Sequence, residues 1–478
     1  MYETDVGKKI MKQKIFREYD IRGIVGEDFT PDDARQLGKI FGSYVYETFG
    51  PRIVVGRDGR LSSPLLGAIF TEGLVACGVS VIDIGLVPTP LLYFVAHHLQ
   101  CDGAVMITGS HNPSEYNGFK IMVGGKPFCG EDLQHLYRLF SAGTYCEREG
   151  GTVETSDWSE QYLHFLQNDF QKNYGSSSLR IAWDCGNGAT GDIVSRLLQS
   201  LPGTHVLINA SIDGNFPSHH PDPTDSKNMQ QLLACVQKEG CDFGVGFDGD
   251  GDRIGVIAPN GTLLLGDQLM SAFSEEVLHH HPGSFILADI KSSHHLFRSI
   301  AKSGGKPVMC RTGHSHIKLK MKELGAPLAG EMSGHIMFAD RAFGFDDAIY
   351  AALRFIGIFS TKSPVLSSSL SFQQWLKAQP HSFKTQEIQI PSEDKFQCVE
   401  RLKMILQKEG ETFQDIDGIR KEDEKGWWLM RASNTQEIIV VRIEADTLPY
   451  FKVLQEQVKE YLHKIGLEIA FDYALAVA

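Results

Sequence analysis

Short apolar runs that end in glycine or polar residues alternate with longer amphipathic stretches along most of the chain. RIVVGRD (52–58), VSVIDIG (79–85) and GAVMITG (103–109) read as buried strands, and SPLLGAIFTEGLVACG (63–78) reads as a helix between two of them. The pattern restarts at LRIAWDCGNGATG (179–191), a strand, a loop and a helix start, and at CDFGVGFDGDGDRIGVIAP (241–259), two strands around an acidic loop. It restarts again with SFILADIK, PVMCRTGHSHIK and APLAGEMSGH, three strand endings that each deliver polar residues. After the Ser-rich SPVLSSSLSF (363–372) the composition shifts to FKTQEIQIP, DIDGIRKED, GWWLMRAS and EIIVVRIEAD, strands with amphipathic helices between or after them. The expected fold is α/β: three related α/β domains near 1–152, 157–260 and 261–370, then a smaller α+β domain near 375–478. The C-terminal AFDYALAVA is apolar but too short to cross a bilayer, and is expected to pack on the surface or fray.

At 478 residues there is room for several domains. A net charge of −13 disfavours nucleic acid or an anionic membrane surface as partner, though it says little about a focused local site. Nine scattered cysteines with no CxxC pair fit free thiols in a reducing cytoplasm. The charged N-terminus has no apolar signal core, and no long uninterrupted apolar run is present.

Three stretches carry chemistry. In MITGSHNPSEYNGFK (106–120), Gly109 permits a tight turn and Pro113 stiffens the exit, which presents the Ser110 hydroxyl at a strand end. In DGDGDR (248–253), Asp248, Asp250 and Asp252 alternate with glycines, so three carboxylates can face one ion. Held this close they repel unless a cation is bound, and hard oxygen donors favour Mg²⁺ or Ca²⁺ over zinc. An EF-hand loop is excluded, because its sixth position would be Arg253 and its twelfth Pro259. In RASNTQ (431–436), Arg431 offers a planar fork and Ser433, Asn434 and Thr435 offer short donors, a plausible phosphate cradle. The histidine clusters, HHH at 279–281 and HSH at 314–316 among them, lack HExxH-type spacing, and zinc is not expected.

TGSHNP followed by NGFK, with the aspartate triplet, resembles the α-D-phosphohexomutases, in particular the bacterial phosphomannomutase/phosphoglucomutase branch. The resemblance covers nearly the whole length. It implies four domains around a central cleft and a Ser110 that carries the transferred phosphoryl group. It also implies Mg²⁺ held by Ser110, Asp248, Asp250 and Asp252, with Arg253 beside it, and glucose 1,6-bisphosphate or a similar sugar as activator. GEMSGH (330–335) matches the sugar-recognition loop, with Glu331 and Ser333 on ring hydroxyls. Its Met332 resembles the glucose/mannose enzymes, where phosphoglucosamine mutases usually carry Gln. RASNTQ matches the phosphate loop, except that Gln436–Glu437 stands where relatives often have Pro, which adds a negative charge. Tyr19 and Arg22 in FREYDIRG, Lys291 in ADIKSS and His314 in RTGHSHIK fall at matching substrate-binding positions. Lys120 and His335 are the candidates for proton transfer. GRDGRLS (56–62) resembles a structural loop beside the site, with Arg57 and Arg60 in ion pairs.

The expected activity is interconversion of hexose 1-phosphate and hexose 6-phosphate, mannose and/or glucose, by a cytoplasmic monomer or weak oligomer. Phosphoglucosamine mutase, a metal-dependent sugar phosphatase using the same serine, and a non-catalytic sugar-phosphate binder are the alternatives.

Overall fold

The computed structural model describes residues 11–360, 370–434 and 436–469, and the backbone of 476–477. The chain divides into two compact units, one of residues 1–265 and 333–364, the other of residues 266–332 and 365–478. The first residues of the Ser-rich junction, Thr435 and most of the C-terminal apolar segment lie outside the described residues.

The first unit holds two sheets. In the first, the strands run in the order Ile21–Ile24, Tyr116–Val123, Gly103–Ile107, Arg52–Arg57, Ser80–Leu86 and Thr152–Thr155. The four from Gly103–Ile107 onward are parallel; Tyr116–Val123 and Ile21–Ile24 are added antiparallel. NGFK therefore lies on a strand, with Lys120 directly opposite Met106, and the polar stretch GTVETSDW (151–158) contributes an edge strand, Thr152–Thr155. Helix Pro31–Thr48 starts at a Thr30 capping box with Pro31 in the first turn, the arrangement that satisfies orphan amides there. Phe29, Phe41, Phe70 and Phe119 pack beneath this sheet in one apolar core.

The second sheet orders Leu263–Leu264, Ile254–Ile257, Phe243–Phe247, Arg180–Asp184 and Thr204–Ile208. Phe243–Phe247 and Ile254–Ile257 are antiparallel and buried along their whole length, so the aspartate loop between them is gripped at both ends.

The second unit places Phe285–Asp289 between Lys306–Cys310 and Leu328–Gly330, all parallel. Its C-terminal sheet is antiparallel, with Gly426–Ala432 between Ile419–Glu422 and Ile438–Ala445. Residues on Gly426–Ala432 alternate with period two. Trp428 and Met430 enter the core under helices Lys395–Glu409 and Leu448–Lys464, while Trp427 and Leu429 pack on Ile290. Buried Arg420 donates to the carbonyls of Ile290 and Ser292, and Arg442 to that of Lys291, which pins the ADIKSS loop to this sheet. All nine cysteines are free thiols. Among the described residues, no helix is long and apolar enough to cross a membrane.

Candidate active site

Ser110 is buried at the exit of strand Gly103–Ile107 and has φ = 48°, a left-handed conformation that costs a non-glycine residue energy. The loop is held in that shape from below. Arg60, fully buried, donates to the carbonyl oxygens of Ser110 (2.7 Å), Asn112 (2.6 Å), Tyr116 (3.0 Å) and Pro113. Its Nε meets Asp58 at 3.1 Å, the ion pair expected of GRDGRLS. Asp58 in turn accepts from Ser63 Oγ, Thr108 Oγ1 and the Gly109 amide. Glycine is required at 109 because a Cβ there would stand 2.2 Å from the Arg60 guanidinium carbon. Arg22 holds the loop from another side, donating to the Gly109 carbonyl and, at 2.9 Å, to Asn112 Oδ1, and it pairs with Asp20. Tyr19 lies in the bend just before strand Ile21–Ile24.

The aspartate loop closes over the serine. Ser110 Oγ donates to Asp248 Oδ2 at 2.8 Å and lies 3.2 Å from His111 Nδ1. A Cβ at Gly249 would fall 2.4 Å from the Ser110 carbonyl oxygen, so the interleaved glycine is what permits this approach. Asp248 Oδ1 accepts from the amides of Gly251, Asp252 and Arg253, an arrangement that fixes the loop. Thr89 Oγ1 donates to Asp250 Oδ2 at 2.5 Å. Lys120 Nζ pairs with Asp250 Oδ2 at 2.7 Å and with Asp252 Oδ2. All three aspartates are fully buried, and Asp250 Oδ1 and Asp252 Oδ1 have no hydrogen-bond partner.

The electrostatics follow from that crowding. Burial and the carboxylates of Asp250 and Asp252 push the Asp248 carboxyl well above its ordinary value. Burial opposes ionisation of Asp250 too, but Lys120 outweighs it and holds that carboxyl below the usual range. Burial would lower the Lys120 ammonium; the two aspartates win and hold it above the ordinary lysine value. Burial, then Arg253 and Arg22, pushes His111 well down, so its imidazole is neutral. Three ligating carboxylate oxygens within 4.8 Å of one another, two carboxylates with an unused buried oxygen each, and an all-oxygen donor set fit a hard divalent cation.

His335 belongs to the same unit. Arg253 Nε donates to His335 Nε2 at 3.0 Å, which puts the imidazole hydrogen on Nδ1, 3.1 Å from Asp346 Oδ2 and 3.6 Å from Asp252 Oδ1. Nε2 is thus occupied by Arg253, while Nδ1 faces the two carboxylates. Ser333 is half-buried in the turn before it. Gly334 has φ = 90°, and a Cβ there would meet the Ile254 carbonyl oxygen at 2.4 Å, so this turn can hug the strand leaving the aspartate loop.

In the second unit, Glu331 is buried and accepts from the Gly313 amide at 2.7 Å, directly before His314 opens helix His314–Leu324. Lys291 Nζ pairs with Glu387 at 2.9 Å; burial would lower the ammonium, but Glu387 and Asp289 hold it up. Burial raises Asp289 to about 6, with Lys291 opposing; one oxygen accepts from Ser292 Oγ and the Met332 amide, and the other has no hydrogen-bond partner. Arg431 forks onto Asp417 at 3.0 and 3.2 Å, and Asp417 also accepts from the Thr312 amide. Ser433 Oγ accepts from the Gln436 amide, and Asn434 follows in the turn. Thr435 lies outside the described residues. The acidic departure at Glu437 is offset locally, because Lys395 pairs with it at 3.4 Å and donates to the Gln436 carbonyl at 2.7 Å.

Four family models cover the chain: phosphoglucomutase/phosphomannomutase alpha/beta/alpha domain I at residues 13–145, domain II at 160–261, domain III at 265–376 and the C-terminal domain at 387–460. The chain is 42% identical to the phosphomannomutase/phosphoglucomutase of Pseudomonas aeruginosa, over 91% of this chain and 92% of that one. The chain belongs to the phosphoglucomutase/phosphomannomutase family. It is 40% identical to a Neisseria gonorrhoeae phosphoglucomutase, over 93% of this chain and 96% of the relative. A crystal structure of a family protein from Burkholderia thailandensis superimposes with a TM-score of 0.88 at 36% identity, covering 97% of this chain and 100% of that chain. The resemblance read from TGSHNP and DGDGDR therefore holds for all four parts of the chain, and the chain is an enzyme of the mutase class.

Several residues of the site were invisible to motif reading. Asp58 pairs with Arg60, itself expected in an ion pair, Asp346 faces His335, and Asp417 backs Arg431. The one available signal was position: Asp58 follows a strand end, and Asp346–Asp347 immediately precedes a helix.

Proposed function

We propose that the chain interconverts hexose 1-phosphate and hexose 6-phosphate, with mannose, glucose or both as the sugar. The observation that carries this reading is the Ser110 hydroxyl, held in a left-handed turn and bonded to Asp248 among three buried carboxylates. A phosphatase or mutase using serine needs this pairing of hydroxyl and cation site. Family membership favours the mutase, and the Met332 of GEMSGH favours glucose/mannose over glucosamine.

In this reading Ser110 carries a phosphoryl group, donates it to the free hydroxyl of the sugar phosphate, and recovers the other phosphate after the bisphosphorylated sugar has turned round. Mg²⁺ on Asp248, Asp250 and Asp252 would neutralise charge on the phosphoryl oxygens. Clamping by Arg60 and Arg22 supplies positioning, which dominates phosphoryl transfer. Lys120 and His335 are the candidates for proton transfer: Lys120 Nζ presents several hydrogens beside Asp250 and Asp252, and His335 Nδ1 carries one beside Asp252 and Asp346. His335 also keeps Arg253 aimed. Arg431, Ser433, Asn434 and Thr435 would hold the non-reacting phosphate, with Lys291, His314, Tyr19 and Arg22 as further anion or hydroxyl contacts, and Glu331 and Ser333 the ring hydroxyls. Four domains near 1–152, 157–260, 261–370 and 375–478, a bisphosphorylated hexose as activator, and a monomer or weak oligomer in the cytoplasm complete the proposal.

The test is to incubate the chain with glucose 1-phosphate or mannose 1-phosphate, Mg²⁺ and a trace of glucose 1,6-bisphosphate, and to follow ³¹P resonances. Isomerisation is expected. Release of free phosphate instead would make it a phosphatase, no change would make it a binding protein, and preference for glucosamine 1-phosphate in a parallel run would move it to the phosphoglucosamine branch.

A further inference from the structure

Helix His294–Lys302, in the second unit, opens with two adjacent histidines that the proposed reaction does not use. Their rings stand nearly perpendicular with centroids 4.2 Å apart. His294 Nε2 lies 2.9 Å from Asp446 Oδ1, His295 Nε2 lies 3.1 Å from the same oxygen, and the two nitrogens are 3.1 Å apart. Asp446 follows strand Ile438–Ala445, just before helix Leu448–Lys464, in the same unit.

Hydrogen bonding accounts for at most two of the three edges of this triangle. Each Nε2 offers either one hydrogen or one lone pair. If both nitrogens donate to Asp446 Oδ1, that oxygen accepts both hydrogens and the 3.1 Å approach between the two nitrogens is left without a bond. If one donates to the other, the accepting nitrogen is bare and turns a lone pair toward the carboxylate oxygen. No choice of tautomers satisfies all three approaches together. A cation at the centre does. With metal–ligand bonds of about 2.0–2.1 Å, neighbouring donors stand about 2.9 Å apart at a right angle and about 3.3 Å apart at a tetrahedral angle, and the three observed edges fall in that span.

The surroundings support an ion. His294 is fully buried, so its contact with Asp446 is shielded from bulk water. Arg298 lies 3.7 Å from Asp446 Oδ2, the oxygen turned away from the histidines, and is itself anchored on the Glu424 carbonyl at 2.8 Å. That orients the carboxylate and leaves Oδ1 to the imidazoles. His295 also lines a cavity of about 410 Å³, with Ser293, Arg298, Lys384 and Glu444.

We propose that His294, His295 and Asp446 bind one divalent transition-metal ion of the zinc class, with a fourth position open to the cavity. Two imidazoles and one carboxylate suit zinc, where the all-oxygen aspartate loop suits magnesium. The ligands come from chain positions far apart, so the ion would clasp the start of helix His294–Lys302 to the C-terminal sheet and helix and stabilise the folded unit.

The experiment titrates Zn²⁺ calorimetrically into the metal-stripped full-length chain, with excess Mg²⁺ present to fill the aspartate loop. Co²⁺ serves as the spectroscopic probe. One Zn²⁺ equivalent, a visible Co²⁺ band of four-coordinate character and a zinc-dependent rise in melting temperature are expected. His295→Gln and Asp446→Asn should each weaken zinc binding at least tenfold and abolish the melting shift, while mutase turnover persists. Asp446 is a third exposed, so its variant keeps the test decisive should His295→Gln misfold. Asp250→Asn should retain the zinc equivalent. No zinc binding, binding unchanged in both variants, or loss of the equivalent in Asp250→Asn would each overturn the proposal.

Discussion

Arg60→Ala, combined with Gly109→Ala, tests whether a guanidinium shapes the nucleophile loop. Arg60 is fully buried and is shared by Asp58 and by four carbonyl oxygens between Ser110 and Tyr116. A hydrogen bond to a charged group is worth about 1.5–3 kcal/mol, and removing the cation of a buried pair costs about 3–5 kcal/mol. These are not additive, since one side chain serves all the partners and Asp58 keeps its bonds from Ser63, Thr108 and Gly109. We therefore expect Arg60→Ala to destabilise the chain by about 3–5 kcal/mol. Displacing the loop by even an ångström should lower kcat about a hundredfold. Gly109→Ala alone forces a Cβ to 2.2 Å from the guanidinium carbon and should cost about 1–3 kcal/mol as overpacking. In the Arg60→Ala background that collision is gone, so the second substitution should be nearly free. Urea unfolding of the four proteins gives the coupling directly, expected at about 1–3 kcal/mol in favour of the double variant. Strict additivity, or an Arg60→Ala protein with wild-type midpoint and turnover, would show that the loop holds its left-handed turn without the arginine.

Ser110→Ala should abolish turnover with substrate binding largely intact, and intact-mass measurement should find part of the wild-type protein one phosphoryl group heavier. Asp250→Asn should be severely impaired, and EDTA should inactivate the wild type reversibly and lower its melting temperature, since a cation relieves repulsion among carboxylates present only in the folded loop. Arg431→Ala should weaken glucose 1-phosphate and mannose 1-phosphate alike, by about 1.5–3 kcal/mol, while Glu331→Gln should alter the ratio of the two sugars; binding isotherms for both sugars separate the roles. Asp347, buried and bonded by the Tyr162 hydroxyl and the Tyr350 amide, is raised to about 7 by desolvation. Its folded pKa lies above its unfolded one, so the stability it contributes is full below about pH 4 and is lost as pH rises to about 7. Asp347→Asn keeps the helix cap without the charge, and thermal unfolding should find it more stable than wild type at pH 8, by up to about 4 kcal/mol, with the difference shrinking toward pH 4.

Local chemistry was legible in the residues alone. Alternating apolar runs ending in glycine marked the strands that deliver Ser110, the aspartates and Arg431, because strand period and turn stereochemistry are properties of neighbouring residues. TGSHNP and DGDGDR each carry their function within six positions, so they could be read without a fold. What sets their geometry is remote in sequence. Lys120 reaches Asp250 and Asp252, Arg60 reaches under Ser110, and Arg253 meets His335, each across tens of residues or more. The Glu437 that looked like an intrusion on a phosphate loop is paired with Lys395, a residue of a preceding helix. Histidines without HExxH spacing offered no metal site along the chain, yet folding brings Asp446 to His294 and His295. Sequence determined which groups stand at the ends of strands, because backbone preferences act over a few residues. Tertiary structure decided which of those groups meet and in what charge state, because burial and Coulomb partners depend on elements that only packing brings together.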